Sequence, residues 1–146
     1  MLNEKMYKNE KEMYPHVCTW LRSILNKKHK GARIIVKDTS KKVLSKWLFD
    51  HNLHPYFSDY KSFEIEVDVT GIAISQTEIT LAFIECKLDK ITLRDLSQLL
   101  GYSKVAVPSL SLILSPEGLS DSMNLLLNIY RRYDILRYNR DKYIIV

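Results

Sequence analysis

The chain is 146 residues long, 46% hydrophobic and 27% charged, with a formal net charge of +5. Those values describe one folded soluble domain, residues 1–146, and no internal repeat, low-complexity tract or Gly/Ser linker divides it. No run approaches the roughly 18 apolar residues that a membrane-spanning helix needs, so such a helix is excluded.

The polar start MLNEKMYKNEKEMY lacks the apolar stretch of a signal peptide, and a cytoplasmic (intracellular) location with no membrane partner is expected. Cys18 and Cys86 lie in apolar contexts without metal-ligand spacing and are expected to be free and reduced. The charge is uneven. Residues 1–62 hold 13 Lys/Arg against 6 Asp/Glu, whereas residues 63–146 hold 9 against 11. A basic first half beside an acidic pocket suits a polyanion held at a cation site, although a solvated lysine-rich surface explains the charge alone equally well.

Tyr14, Val17, Cys18, Leu21, Ile24 and Leu25 recur at helical spacing, with Pro15 tolerated in the first turn. The run Lys27-Lys28-His29-Lys30-Gly31 ends that helix, with cations at its C-terminus and a glycine just beyond. Arg33 to Lys37 is predicted as a short strand. Asp38, Thr39 and Ser40 are alternative N-caps for a second helix through Val43, Leu44, Trp47 and Leu48. A connection containing Pro55 follows, from His51 to Tyr60. His29, His51 and His54 fall in loops or at helix ends, so no histidine pair on one helix face suggests zinc. Trp20 and Trp47 are expected in the core.

The stretch from Phe63 to Lys87 (FEIEVDVTGIAISQTEITLAFIECK) is predicted as two strands, rich in Val, Ile, Thr and Phe, joined at Gln76-Thr77 or over Ser75 to Glu78. Either loop sets Asp68 directly opposite Glu85, and Glu66 opposite Lys87. Alternation then projects all four to one side, with opposed Cβ atoms roughly 4.5–5.5 Å apart. Two carboxylates so placed repel unless a divalent cation lies between them, and Mg²⁺ takes such oxygen ligands together with water and phosphate. Ile65, Val67, Val69, Ala73, Ala82 and Ile84 share the opposite face. Near the turn the acidic face also becomes apolar, so the sheet is expected to be covered on both sides.

Thr92-Leu93-Arg94-Asp95 then opens a helix with a near capping box. It places Leu93, Leu96 and Leu100 on one side, and Asp95, Gln98 and Tyr102 on another. Leu110 to Ser115 reads as a buried strand. A helix from about Ser120 to Tyr133 carries Met123, Leu126, Leu127 and Tyr130, and short strands follow near Ile135–Tyr138 and Tyr143–Val146. This order predicts an α/β fold, a mixed central sheet flanked by helices, with a right-handed parallel crossover from Glu85 to Leu112.

Asp68, then Glu85-Cys86-Lys87 on the next strand, then a helix bearing Gln98 and Tyr102, resemble the PD-(D/E)XK nuclease superfamily, the restriction-endonuclease-like fold. Glu12-Met13-Tyr14-Pro15 is similar to the helix start that often supplies an extra acid there, with Glu10 competing for that place. The resemblance spans roughly residues 12–115. An acid-x-Lys triplet occurs also at Asp59-Tyr60-Lys61, but in a connecting loop with no paired acid. Val67 stands where the signature has proline, which is not a ligand.

The resemblance implies a Mg²⁺-dependent endonuclease, a deoxyribonuclease that hydrolyses phosphodiester bonds and accepts Mn²⁺ as a substitute. Asp68, Glu85 and the Cys86 backbone carbonyl would hold the metal, with Glu12 completing the shell or positioning water. Lys87 would orient the attacking water or stabilise the transition state, and Gln98 and Tyr102 would hold Lys87 or a substrate phosphate. DNA is the expected nucleic acid, recognised by its structure or through a partner, and a homodimer is expected from the resemblance. The competing functions are a non-catalytic nucleic-acid-binding or assembly module of the same fold, and an RNA-processing nuclease.

Overall fold

The structure is a computed structural model and describes residues 6–146; residues 1–5 of the polar start lie outside the described residues. Its centre is a four-stranded sheet of β1 (Arg33–Asp38), β2 (Val69–Ile74), β3 (Ile79–Cys86) and β4 (Leu110–Leu114), hydrogen-bonded in that order. The first three strands run antiparallel and β4 lies parallel to β3, so the sheet is mixed. Helices α1 (Tyr14–Lys28), α2 (Leu44–Asp50), α3 (Leu93–Ala106) and the short α4 (Asp121–Asn124) flank it. The parallel pair is joined through α3, as a crossover requires. No helix among the described residues is long and apolar enough to cross a membrane.

The β2–β3 hairpin has the predicted register, from Val69 opposite Ile84 to Ile74 opposite Ile79. Its turn lacks Asn-Gly, and Ser75 supplies the closure instead. The Ser75 main-chain N–H donates to Glu78 O, and its hydroxyl oxygen accepts from the main-chain N–H groups of Thr77 and Glu78.

Both faces of the sheet are apolar. On one side, Val36, Val69, Ala82, Ile84, Cys86 and Leu112 pack against Val17, Leu21 and Leu25 of α1. On the other, Ile72, Leu81, Phe83 and Ile113 pack against Leu44, Trp47 and Leu48 of α2, Leu96 and Leu99 of α3, and Met123. Gly71 permits the close approach of α1: a Cβ built there would lie 2.7 Å from Leu21 Cδ2 and 2.9 Å from Leu25 Cδ1.

Several expectations are corrected. The strand predicted from Phe63 begins only at Val69, and the chain bends at Asp68. Ile65 and Val67 therefore join the α2–α3 side, while Val69 faces α1, so the alternation predicted for these three breaks. The cause is the neighbouring chain. Thr39 donates its main-chain N–H to Asp68 O at 2.9 Å and its buried hydroxyl to Val67 O at 2.8 Å, which anchors the bend.

Neither Asp38, Thr39 nor Ser40 caps α2. Val43 holds that position without a side-chain cap, because Thr39 is committed to the sheet and Asp38 accepts from Ser40. Trp20 and Leu93 are 45% and 49% exposed, and Trp20 lines an apolar groove beside β4 with Ile24, Leu110 and Leu112. The helix predicted over 120–133 is shorter, with α4 passing into one π-helical turn, Leu125–Ile129. The final strands are β5 (Arg137–Asn139) and β6 (Lys142–Tyr143), after which Ile145 bridges in parallel to Leu112 and continues the sheet past β4. Cys18 and Cys86 are both free.

Candidate functional site

The bend at Asp68 sets its side chain at the end of the sheet, where elements from distant parts of the chain meet. Asp68 Oδ1 accepts from the Tyr14 hydroxyl at 2.8 Å, and Oδ2 accepts from the Cys86 main-chain N–H at 2.8 Å. The Asp68 main-chain N–H in turn donates to Glu85 Oε1 at 3.1 Å. Each acid is thus held by the other's strand. These bonds cross where regular pairing has ended, and they satisfy backbone donors that the bend would leave without partners.

Glu85 is only 6% exposed. Burial, followed by the neighbouring Asp68 charge, pushes its pKa up from the usual 4.5 to about 8. A buried carboxyl beside a second carboxylate takes up a proton or a cation, because two like charges there are costly. Lys87, two residues on, brings Nζ to 4.0 Å from Glu85 Oε2 and to 3.4 Å from Asp95 Oδ1 on α3. Burial opposes the Lys87 charge, yet Asp95, Glu85 and Glu10 together raise its pKa above the ordinary value.

This group forms one wall of a cavity of about 640 Å³. The segment leading into α1, with Lys8, Glu10 and Lys11, lines the same cavity, as does Asp89. Burial raises the Glu10 pKa, with Lys87 opposing and Asp68 adding to the shift.

Of the residues singled out in the sequence, Asp68, Glu85 and Lys87 are brought together. Glu66 is exposed, and the predicted shared face of Glu66, Asp68, Glu85 and Lys87 does not form, because the bend turns Asp68 out of alternation. Between the two competing acids, Glu10 lines the cavity. Glu12 is exposed, and its carboxylate accepts from the Lys8 main-chain N–H. Gln98 and Tyr102 lie away from the cavity and hydrogen-bond to each other at 3.2 Å. Asp95, nearer the start of the same helix, is the residue that meets Lys87.

Tyr14 and Asp95 were missed as members of the site. Tyr14 reads as a core residue in an apolar stripe, and it does pack there, but its hydroxyl points to Asp68. Asp95 is a capping residue, and its Oδ2 does accept from the Thr92 main-chain N–H; its other oxygen faces Lys87. The usable signal was that a helix entered soon after Lys87 turns its first acid back toward the strand end.

Among the described residues no group of three or more His, Cys, Asp or Glu side chains is arranged to hold a metal ion. The carboxylate pair, with a lysine beside it, is the chemically distinctive feature of this α/β fold. No protein-family model, curated protein or solved structure matches the chain.

Proposed function

We propose that this chain is a divalent-metal-dependent phosphodiesterase of the PD-(D/E)XK kind, with a restriction-endonuclease-like arrangement, acting on DNA. The observation that carries this reading is the meeting of Asp68 and Glu85 at the sheet end, where the Asp68 main-chain N–H donates to Glu85 Oε1 at 3.1 Å and Lys87 Nζ lies 4.0 Å from Glu85 Oε2, on the wall of an open cavity.

The donor chemistry fits a hard cation. Asp68 uses two of its roughly four lone-pair positions on Tyr14 and Cys86, and Glu85 uses one on Asp68, so both retain acceptor capacity. The raised Glu85 pKa marks a place short of positive charge, and Mg²⁺ is satisfied by one or two carboxylates plus water and phosphate. Asp68, Glu85 and the Cys86 main-chain carbonyl would hold it, while Glu10 lines the same cavity. When bound, such an ion supplies Lewis acidity that activates water and offsets charge on phosphate.

The chain's own residues supply the rest. Tyr14 and the Cys86 N–H fix the orientation of Asp68. Lys87 stays protonated near neutral pH, so it acts as a fixed positive charge toward phosphate oxygens rather than as a base. Asp95 keeps the Lys87 amine at the mouth of the site. Lys8 and Lys11 on the cavity wall add attraction for a polyanion. A homodimer able to cut both strands belongs to this proposal, as does a cytoplasmic location.

One observation favours a second reading, a nucleic-acid-binding module without catalysis. Both Asp68 oxygens already accept protein hydrogen bonds, as they would in a purely structural network. Purified protein with Mg²⁺ or Mn²⁺ decides between them. Nicking of plasmid or branched DNA by the wild type, abolished in Asp68→Ala, Glu85→Ala and Lys87→Ala, is expected. Equal activity in all four proteins would mark a contaminant and end the enzyme reading, and tight binding without cutting would favour the module.

A further inference from the structure

A second charged concavity, of about 380 Å³, lies along β1. Among the described residues this strand is the outer one of the sheet, paired only with β2. Arg33 and Lys37 project from it to the same side by the two-residue period, and Arg22 reaches the strand from α1, donating from Nη2 to Val36 O at 3.2 Å. None of the three forms an ion pair among the described residues. The neighbouring acid Asp38 turns its carboxylate to Ser40.

Charges on an edge strand also guard against edge-to-edge pairing. That role calls only for the residues of the strand itself, whereas here a helix contributes a third cation and the surface is concave. Arg33 and Lys37 are four residues apart, about 13 Å along the strand, a distance spanning several phosphates of a nucleic-acid strand. β1 ends one residue before Thr39, whose N–H holds the Asp68 carbonyl. The cationic strip therefore starts one strand away from the acid pair and leads outward from it.

We infer that the outer edge of β1 is a holding surface for the phosphate backbone of DNA, distinct from the acid pair. The choice of ligand rests on the nuclease reading, but the test does not need catalysis. Binding of a fluorescent duplex of about 20 base pairs is followed by anisotropy in EDTA over a series of salt concentrations. Wild type is compared with Arg33→Gln/Lys37→Gln, with Arg33→Glu/Lys37→Glu, and with the control Lys104→Gln/Arg140→Gln, which also removes two exposed charges.

The β1 glutamine variant is expected to bind more weakly whatever the DNA sequence, with the slope of log K against log salt reduced by about two, and the glutamate variant more weakly still. The control should bind like wild type. Unchanged affinity and slope in the β1 variants, an equal loss in the control, or no duplex binding by wild type even at low salt would overturn the inference. Nicking with Mn²⁺ is scored separately. Binding through β1 without nicking would sink the nuclease reading alone, and nicking with β1-independent binding would sink this inference alone.

Discussion

Tyr14 and Asp68 are 54 residues apart in the chain and joined by a hydrogen bond of 2.8 Å from hydroxyl to carboxylate. The bond ties the first turn of α1 to the bend before β2, and with it the two apolar layers on either side of the sheet. Burial and the bond to Asp68 raise the Tyr14 pKa, so the hydroxyl keeps its proton and remains a donor. Tyr14→Phe keeps the ring in its packing and removes only the donor. The expected cost is about 2 kcal/mol, the range for a hydrogen bond to a charged group, read by urea denaturation. DNA nicking should fall with it, since Asp68 loses its orientation. Nicking at the wild-type rate would show that Tyr14 is a packing residue only.

Asp95 has two separable duties, because one oxygen caps α3 and the other faces Lys87. Thr92→Ala removes the cap hydroxyl and leaves the carboxylate, at an expected cost of about 1 kcal/mol with activity retained. Asp95→Asn retains an acceptor for the cap but loses the charge opposite Lys87. Its stability should resemble that of Thr92→Ala or better, while nicking drops well below it. The same activity in both variants would separate Asp95 from the site.

The Glu85 pKa shift gives a dependence of stability on pH in the absence of divalent metal. Its folded value of about 8 lies above the ordinary 4.5, so between those limits the folded chain binds more protons than the unfolded one. The contribution is therefore complete below about pH 4.5 and is lost as pH rises through about pH 8. Glu85→Gln keeps the shape without the titration. Between about pH 5 and about pH 9, wild type should lose on the order of a few kcal/mol relative to Glu85→Gln in EDTA, by denaturant titration. Parallel curves for the two proteins would place the Glu85 carboxyl in water rather than in the buried pair.

Gly71 tests the packing of α1 on the sheet. In Gly71→Ala the new methyl would overlap Leu21 and Leu25, which are 0% and 2% exposed and would have to shift within the core. Overpacking of this kind costs about 1–3 kcal/mol. A melting temperature equal to that of wild type would mean that α1 sits further from the sheet.

Much of the layout was legible because alternation and helical spacing are local properties. The hairpin register followed from the position of its turn and from the apolar residues on both strands, and it runs from Val69 opposite Ile84 to Ile74 opposite Ile79. The capping box at Thr92 was equally local, and it formed with both of its hydrogen bonds. The ends of elements were less legible. Val69 starts β2 where the pattern would have started it at Phe63, since the stop is set by Thr39 gripping the chain from another strand.

The candidate site divides in the same way. Asp68, Glu85 and Lys87 lie on or beside adjacent strands whose pairing the residue pattern encodes, while the bend that Thr39 anchors sets how Asp68 meets Glu85. Tyr14, Glu10 and Asp95 arrive from helices and turns whose docking depends on how side chains fill two separate cores. Sequence spacing says which face of a helix is apolar, but not which polar tip at the rim of that face will meet a distant strand end. By itself the sequence determined the order of the strands, the β2–β3 register and the charges they carry. Only the tertiary packing chose Glu10 over Glu12 for the cavity wall and Asp95 over Gln98 as the partner of Lys87, because those choices depend on where α1 and α3 come to rest against the sheet.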